Sequence, residues 1–190
     1  MEGTKLGNYF KSLHYADSAL GEFINELDEA GLLDNTVIVL YGDHDARLPR
    51  SEYNKLYNYN METHEFLTED DPNYKEYDSF QYEVGRRVPF IIWTKDSKGN
   101  EKLNREITDV MGMYDVMPTL GNMLGFSNKY ALGHDIFNIK NNNIVVFPNG
   151  NWVTNKMYYN SQKEAYLSLS DEPITEEEIT KNSEYTNKLL

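Results

Sequence analysis

"NTVIVLYGDHDARLPRSEYNKLYNYN", residues 35–60, contains an unbroken β-branched and aliphatic run, Thr36-Val37-Ile38-Val39-Leu40, that passes almost directly into Gly42-Asp43-His44-Asp45. A continuous apolar run, rather than an alternating one, is the pattern of a strand covered on both faces, as in α/β sheets. In such sheets ligands collect beyond the carboxyl ends of the strands, and the ionisable cluster occupies such an end. Asp43 and His44 offer a hard carboxylate and an imidazole, a pair suited to Zn²⁺, Mn²⁺ or Fe. Neighbouring residues of a strand point to opposite faces, so both reach one ion only if the chain has bent away, which Gly42 permits. The bland reading of the same residues is a solvated loop in which Asp43 caps a turn and His44 is incidental.

Upstream, Phe10, Leu13, Leu20, Phe23, Ile24 and Leu27 recur at helical spacing, and Gly31 stands where a helix stops. The spacing predicts an amphipathic helix over residues 8–30, with a turn at Asp34-Asn35. Downstream, Arg87–Trp93 is a second apolar strand with Pro89 near its start, and Ser97–Asn100 predicts the turn after it. The segment joining the two strands reads as a long irregular loop crowded with Tyr53, Tyr57, Tyr59, Tyr74, Tyr77 and Tyr82 among acidic residues. Those rings either pin the loop to the domain or line a groove for sugars or glycerol polymers.

Asp115 is placed to cap a helix running to Leu124, with Pro118 in its first turn and Gly125 at its end. From Asn143 the pattern changes. Residues 144–147, 152–154, 157–159 and 165–169 read as short antiparallel strands, Asn149-Gly150 is a hairpin signal, and Thr175-x-x-Glu178 opens a final charged helix. The fold class is therefore α/β: part of a sheet flanked by helices, followed by a small antiparallel sheet and a C-terminal helix. No internal repeat is visible.

With 190 residues, 39% hydrophobic and 13% aromatic, the chain can bury a core of ordinary domain size, and no stretch approaches the roughly 20 apolar residues of a membrane span. The absence of cysteine excludes disulfides, thiolate zinc sites and a cysteine nucleophile within this sequence. A formal charge of −13 argues against a nucleic-acid partner, since affinity for phosphate backbones comes from clustered Lys and Arg. The acidity serves solubility, or else attracts metal ions or cationic polymers.

Four stretches then stand together in order: HYADSALGEFINELDEAGLLDNTVIVLYGDHDARL (14–48), GRRVPFIIW (85–93), DVMGMYDVMPTLGNMLG (109–125) and ALGHDIF (131–137). They resemble the carboxyl-terminal half of the lipoteichoic acid synthase family, within the alkaline phosphatase and sulfatase superfamily. The resemblance implies that residues 1–140 are the C-terminal half of a sulfatase-like catalytic core and 141–190 a small antiparallel subdomain with a terminal helix. It implies a parent protein anchored in the membrane by upstream helices, with its catalytic domain on the extracellular face. It also implies one divalent metal, Mn²⁺ foremost, with Mg²⁺ or Zn²⁺ as alternatives.

In that family a threonine attacks the phosphodiester of phosphatidylglycerol, releases diacylglycerol and passes glycerol phosphate to a growing polymer. Asp43 and His44 match the family's Asp-His metal pair. The threonine, a Glu ligand and a substrate-binding His lie ahead of the segment matching Phe10–Gly31, so no residue here inherits the catalytic nucleophile's role. The chain alone is expected to be inactive, to bind metal weakly or not at all, and to self-associate through an open sheet edge.

Arg47 is a candidate phosphate donor and Asp45 a candidate carboxylate orienting His44. His14 and Asp17 share a helical face but read as surface residues; His64 and His134 read as structural or exposed, and Trp93 and Trp152 as core. Two further readings stand beside the transferase. One is a sulfatase or phosphodiesterase hydrolase with water as acceptor; the other is a non-catalytic module binding cell-wall polymer or a protein.

Overall fold

Thr4 opens the first helix: its hydroxyl accepts from the Gly7 N–H at 3.0 Å, so α1 runs Lys5–Glu29, three residues ahead of the start its apolar spacing suggested. It ends where expected, with Gly31 in the left-handed region at φ +68°. The computed structural model describes residues 3–95, 105–139 and 143–190, and the turn expected at Ser97–Asn100 lies outside them. The chain divides into two compact units, Met1–Asn104 and Arg105–Leu190, ahead of the change in patterning near residue 140.

In the first unit β1 (Val37–Tyr41) pairs antiparallel with β2 (Phe90–Thr94), Val39 opposite Ile92. The unbroken apolar run implied cover on both faces, yet Val37, Tyr41, Ile91 and Trp93 are exposed. Trp93 is therefore not a core residue in this unit. The reason is geometric: among the described residues this sheet has two strands, too few to build a two-sided layer. The α1 stripe behaves likewise, with Leu20, Ile24 and Leu27 half-buried and Phe10, Leu13 and Phe23 exposed.

The segment between the strands is not an irregular loop. It contains α2 (Arg50–Tyr57) and α3 (Ser79–Gly85). The α3 start is a reciprocal cap: Gln81 N–H donates to Asp78 Oδ1 at 2.8 Å and Asp78 N–H to Gln81 Oε1 at 2.9 Å. Asn54 on α2 and Asn58 at its C-cap, one turn apart, act as substitute backbone for the stretch between the helices. Asn58 donates to Lys75 O at 2.8 Å and accepts from Lys75 N at 2.8 Å, while Asn54 Oδ1 accepts from Tyr77 N at 2.9 Å.

The tyrosines stack on one another: Tyr57 on Tyr77 at 4.5 Å, Tyr53 on Tyr77 at 5.7 Å, and Tyr82 edge-on to Tyr53 at 5.4 Å. Burial pushes the Tyr77 phenol pKa well up, with neighbouring Tyr57 adding to it. These four rings therefore hold the segment itself together. Glu52, buried, joins α2 to α1 by accepting from Leu6 N–H at 3.2 Å and from Lys55 Nζ at 2.9 Å, and the Lys55 hydrogen bond lowers its pKa.

In the second unit α4 spans Val116–Leu124 and ends at Gly125, φ +75°. Asp115 stands at its N-cap position but makes no side-chain cap bond. Fully buried, its carboxylate instead accepts from Gly112 N at 2.7 Å, His134 N at 2.7 Å and Asn143 Nδ2 at 3.0 Å, closing two distant stretches onto the start of α4. The His134 ring itself is half-exposed.

The four short strands form as read: β3 (Val145–Val146), β4 (Trp152–Val153), β5 (Met157–Asn160) and β6 (Ala165–Ser168), an antiparallel meander in chain order. α5 (Glu176–Leu189) carries the expected Thr175–Glu178 capping box and lays Ile179 and Leu189 on a core of Val146, Trp152 and Met157. Trp152 is completely buried, and its indole N–H reaches Ser183 Oγ on α5 at 3.2 Å.

Two substitutions test these anchors. Asn58→Ala removes the buried side chain that holds the Lys75 backbone and should cost about 1–3 kcal/mol in urea unfolding; a loss below about 0.5 kcal/mol would mean that water replaces it. Trp152→Ala opens a cavity under α5 and should cost about 3–5 kcal/mol, read as a fall in unfolding midpoint at unchanged slope.

Candidate metal centre

β1 stops at Tyr41 because the next residue is squeezed against the second strand's approach. Gly42 N–H donates to Pro89 O at 3.1 Å, and a Cβ at position 42 would lie 2.7 Å from Val88 Cβ. Glycine is needed here for close approach, not for a left-handed bend. Beyond it Asp43 is open to solvent and His44 half-open, with His44 Nε2 3.7 Å from Asp43 Oδ1. Ligand bonds of about 2.1 Å from each donor can span that gap.

The other imidazole nitrogen, Nδ1, lies 2.6 Å from the Asp45 main-chain oxygen. A carbonyl only accepts, so Nδ1 carries the proton, and in the neutral ring the Nε2 lone pair is left for a ligand. The pair therefore fits a divalent cation by tautomer, spacing and exposure, as two of its ligands. Among the described residues no third His, Cys, Asp or Glu joins them.

Asp45 was expected to orient His44 through its carboxylate. Its carbonyl faces the ring instead. The carboxylate, almost buried, takes Arg86 Nη2 at 3.2 Å on Oδ1 and the Arg47 N–H at 3.1 Å on Oδ2. The Arg86 hydrogen bond holds the Asp45 carboxyl below the usual carboxylate range against the opposing effect of burial. Arg86 is in turn fixed by Glu83 Oε2 at 3.3 Å and lies 5.7 Å from the Tyr82 ring centre. Tyr82 OH donates to Leu48 O at 2.9 Å, so α3 grips both ends of the loop.

Arg47 adopts φ +52°, uncommon for a side-chain-bearing residue, and its exposed side chain stands beyond the pair while its N–H serves Asp45. His14 and Asp17 are exposed on α1 and far along the chain from these contacts; His64, at φ +60°, meets Tyr59 OH at 3.3 Å.

Sequence reasoning passed over Arg86 and Arg87. Arg87 and His44 both line a cavity of about 270 Å³ whose walls are mostly apolar, among them Leu6, Phe10, Leu48 and Val88. Adjacent arginines immediately before an apolar strand were the available signal. Nothing in the sequence paired Arg86 with Asp45 across some forty residues.

The sulfatase family model matches residues 3–126. Lipoteichoic acid synthase 1 of Bacillus subtilis (strain 168) is 37% identical over 179 residues, covering 92% of this chain and 25% of that protein. Lipoteichoic acid synthase 2 of the same strain is 31% identical over 192 residues, covering 96% of this chain and 27% of that protein. The lipoteichoic acid synthase of Staphylococcus aureus (strain USA300) is 32% identical over 186 residues, covering 96% and 26%. The chain thus spans about a quarter of the length of these curated relatives. With the model match across its first unit and into α4, the chain belongs to the sulfatase family.

Proposed function

We propose that this chain forms one wall of the active site of a phosphoglycerol transferase that uses phosphatidylglycerol, or a glycerol-phosphate polymer, in making a lipoteichoic-acid-type product. The observation that carries the reading is the convergence of Asp43 Oδ1 and His44 Nε2 at the end of β1, in a chain whose relatives are lipoteichoic acid synthases. Asp43 and His44 would hold one divalent cation, Mn²⁺ foremost, with Mg²⁺ or Zn²⁺ as alternatives. When bound, such an ion supplies Lewis-acid stabilisation of phosphoryl oxygens.

The chain's own residues do the positioning. The Asp45 carbonyl holds His44 as the Nδ1–H tautomer, and Asp43 adds negative charge next to Nε2. The exposed Arg47 guanidinium is suited to a phosphate oxygen, which it can bind through paired N–H groups.

The nucleophilic threonine and the remaining ligands would come from another part of a longer protein, as would helices anchoring it at the extracellular face of a membrane. No described helix here is long and apolar enough to cross one. The open faces of α1 and the β1–β2 ribbon support such a partner surface, because a free-standing fold seldom leaves Phe23, Leu13, Ile91 and Val37 uncovered together. The same faces would drive self-association of the isolated chain. The sulfatase family match favours a second reading, a hydrolase of the same superfamily in which water takes the acceptor's place.

Grafting residues 3–190 in place of the matching segment of the Bacillus subtilis lipoteichoic acid synthase 1 tests the proposal. The graft should release diacylglycerol from phosphatidylglycerol and extend glycerol-phosphate polymer. His44→Ala in the graft should lower turnover by more than about 100-fold, beyond the usual effect of losing a residue that merely supports a ligand. Full turnover by that variant would overturn the assignment, and free glycerol phosphate without polymer would favour the hydrolase.

The 190-residue chain by itself should turn over no phosphatidylglycerol with Mn²⁺. Metal-dependent release of diacylglycerol by it would show that the nucleophile is here after all.

A further inference from the structure

We infer that Arg86 is a positioning residue for the Asp43-His44 pair: by gripping the Asp45 carboxylate it holds the Asp45 carbonyl against His44 Nδ1–H and leaves Nε2 as the free donor. The inference deepens the metal reading and rests on it only for one of two readouts.

Three contacts converge on Asp45. Its Oδ1 receives Arg86 Nη2 at 3.2 Å, its Oδ2 receives the Arg47 N–H at 3.1 Å, and its carbonyl accepts from His44 Nδ1 at 2.6 Å. Carboxylate and carbonyl of one aspartate are a few bonds apart. Once the side chain is pinned at both oxygens, the main-chain oxygen has little freedom left, and the imidazole that donates to it is fixed in tautomer and rotation.

The pin is itself anchored outside the loop. Arg86 reaches Glu83 through its second terminal nitrogen, and Tyr82, beside its guanidinium, ties Leu48 with its hydroxyl. A planar guanidinium serves two carboxylates through separate terminal nitrogens in a fixed fork while lying by a ring, whereas a lysine supplies one compact charge. The Asp45 side chain is about nine-tenths buried, so the ion pair is shielded on that side, whereas Arg86 is 41% exposed. A plain surface tether between α3 and the loop would need neither the buried carboxylate nor its carbonyl turned to the imidazole.

A free neutral histidine favours the Nε2–H tautomer, so the arrangement inverts the ordinary preference and can be read without metal. Long-range ¹H–¹⁵N spectra of the 190-residue chain, taken at a pH where the imidazole is neutral, should show His44 as Nδ1–H. Arg86→Gln should return it to mainly Nε2–H, and Arg86→Lys should restore part of the Nδ1–H signal. In the Bacillus subtilis graft described above, Mn²⁺ affinity, followed by electron paramagnetic resonance, should fall about 10–100-fold in Arg86→Gln. Should that variant fail to fold, Asp45→Asn keeps the shape, weakens the Arg86 contact and should give the same reversal.

An Nε2–H signal in the wild-type chain, or an Nδ1–H signal unchanged in a folded Arg86→Gln or Asp45→Asn, overturns the positioning role. Tautomer reversal in the chain with no Mn²⁺ binding by the graft or its variants upholds Arg86 as the positioning residue and overturns the metal reading of the pair.

Discussion

The antiparallel pairing of β1 with β2 is the constraint on which the first unit depends. It places the carboxyl end of one strand beside the amino end of the other, so Gly42–Leu48 and Arg86–Pro89 meet although α2 and α3 intervene in sequence. Gly42 N–H to Pro89 O closes the joint, and the absent Cβ at Gly42 lets Val88 sit against it. Everything the candidate site contains hangs from that joint. The Asp-His pair leaves β1, the arginines lead into β2, and the Asp45–Arg86 ion pair bridges the two.

A chain of net charge −13 would be expected to spread its acids over solvent, yet several of its carboxylates work as internal acceptors. Asp115 gathers donors from Gly112, His134 and Asn143, Glu52 receives the Leu6 N–H at the start of α1, and Asp45 receives Arg47 and Arg86. Each replaces hydration lost on burial with directed N–H groups, the condition under which a buried anion is tolerated. Asn54 and Asn58 do the same work without charge. In both units polar side chains substitute for regular secondary structure where the chain has little of it.

What the sequence made legible is local. The α1 stripe, both apolar strands, the meander, the Thr175–Glu178 box and the buried Trp152 follow from periodicity, turn residues and caps, which act over a few residues. The Asp43-His44 pair was visible because its members are adjacent. What was hidden depended on distant partners: Asp115 read as a helix cap until His134 and Asn143 were seen around it, and Asp45 read as a carboxylate for His44 although Arg86 claims that group. Helices α2 and α3 were missed for a different reason. Each spans about two turns, too short for apolar spacing to repeat, and only the Asp78-x-x-Gln81 cap announced one of them. Exposure of Trp93 and Ile91 shows the converse limit, since an apolar run records the surroundings a strand is built for and this unit supplies only part of them.

The excursion from Pro49 to Gly85 begins and finishes at the same end of the ribbon. Its internal packing, asparagines on α2 and tyrosine against tyrosine, is largely its own. Length added or removed between the two helices would therefore change what overhangs the site without shifting the strand ends that carry it, since loop closure depends only weakly on the number of residues enclosed. In this fold reach and alignment are inherited separately: the excursion can be remodelled while the joint at Gly42 and Pro89 keeps Asp43 and His44 where they were.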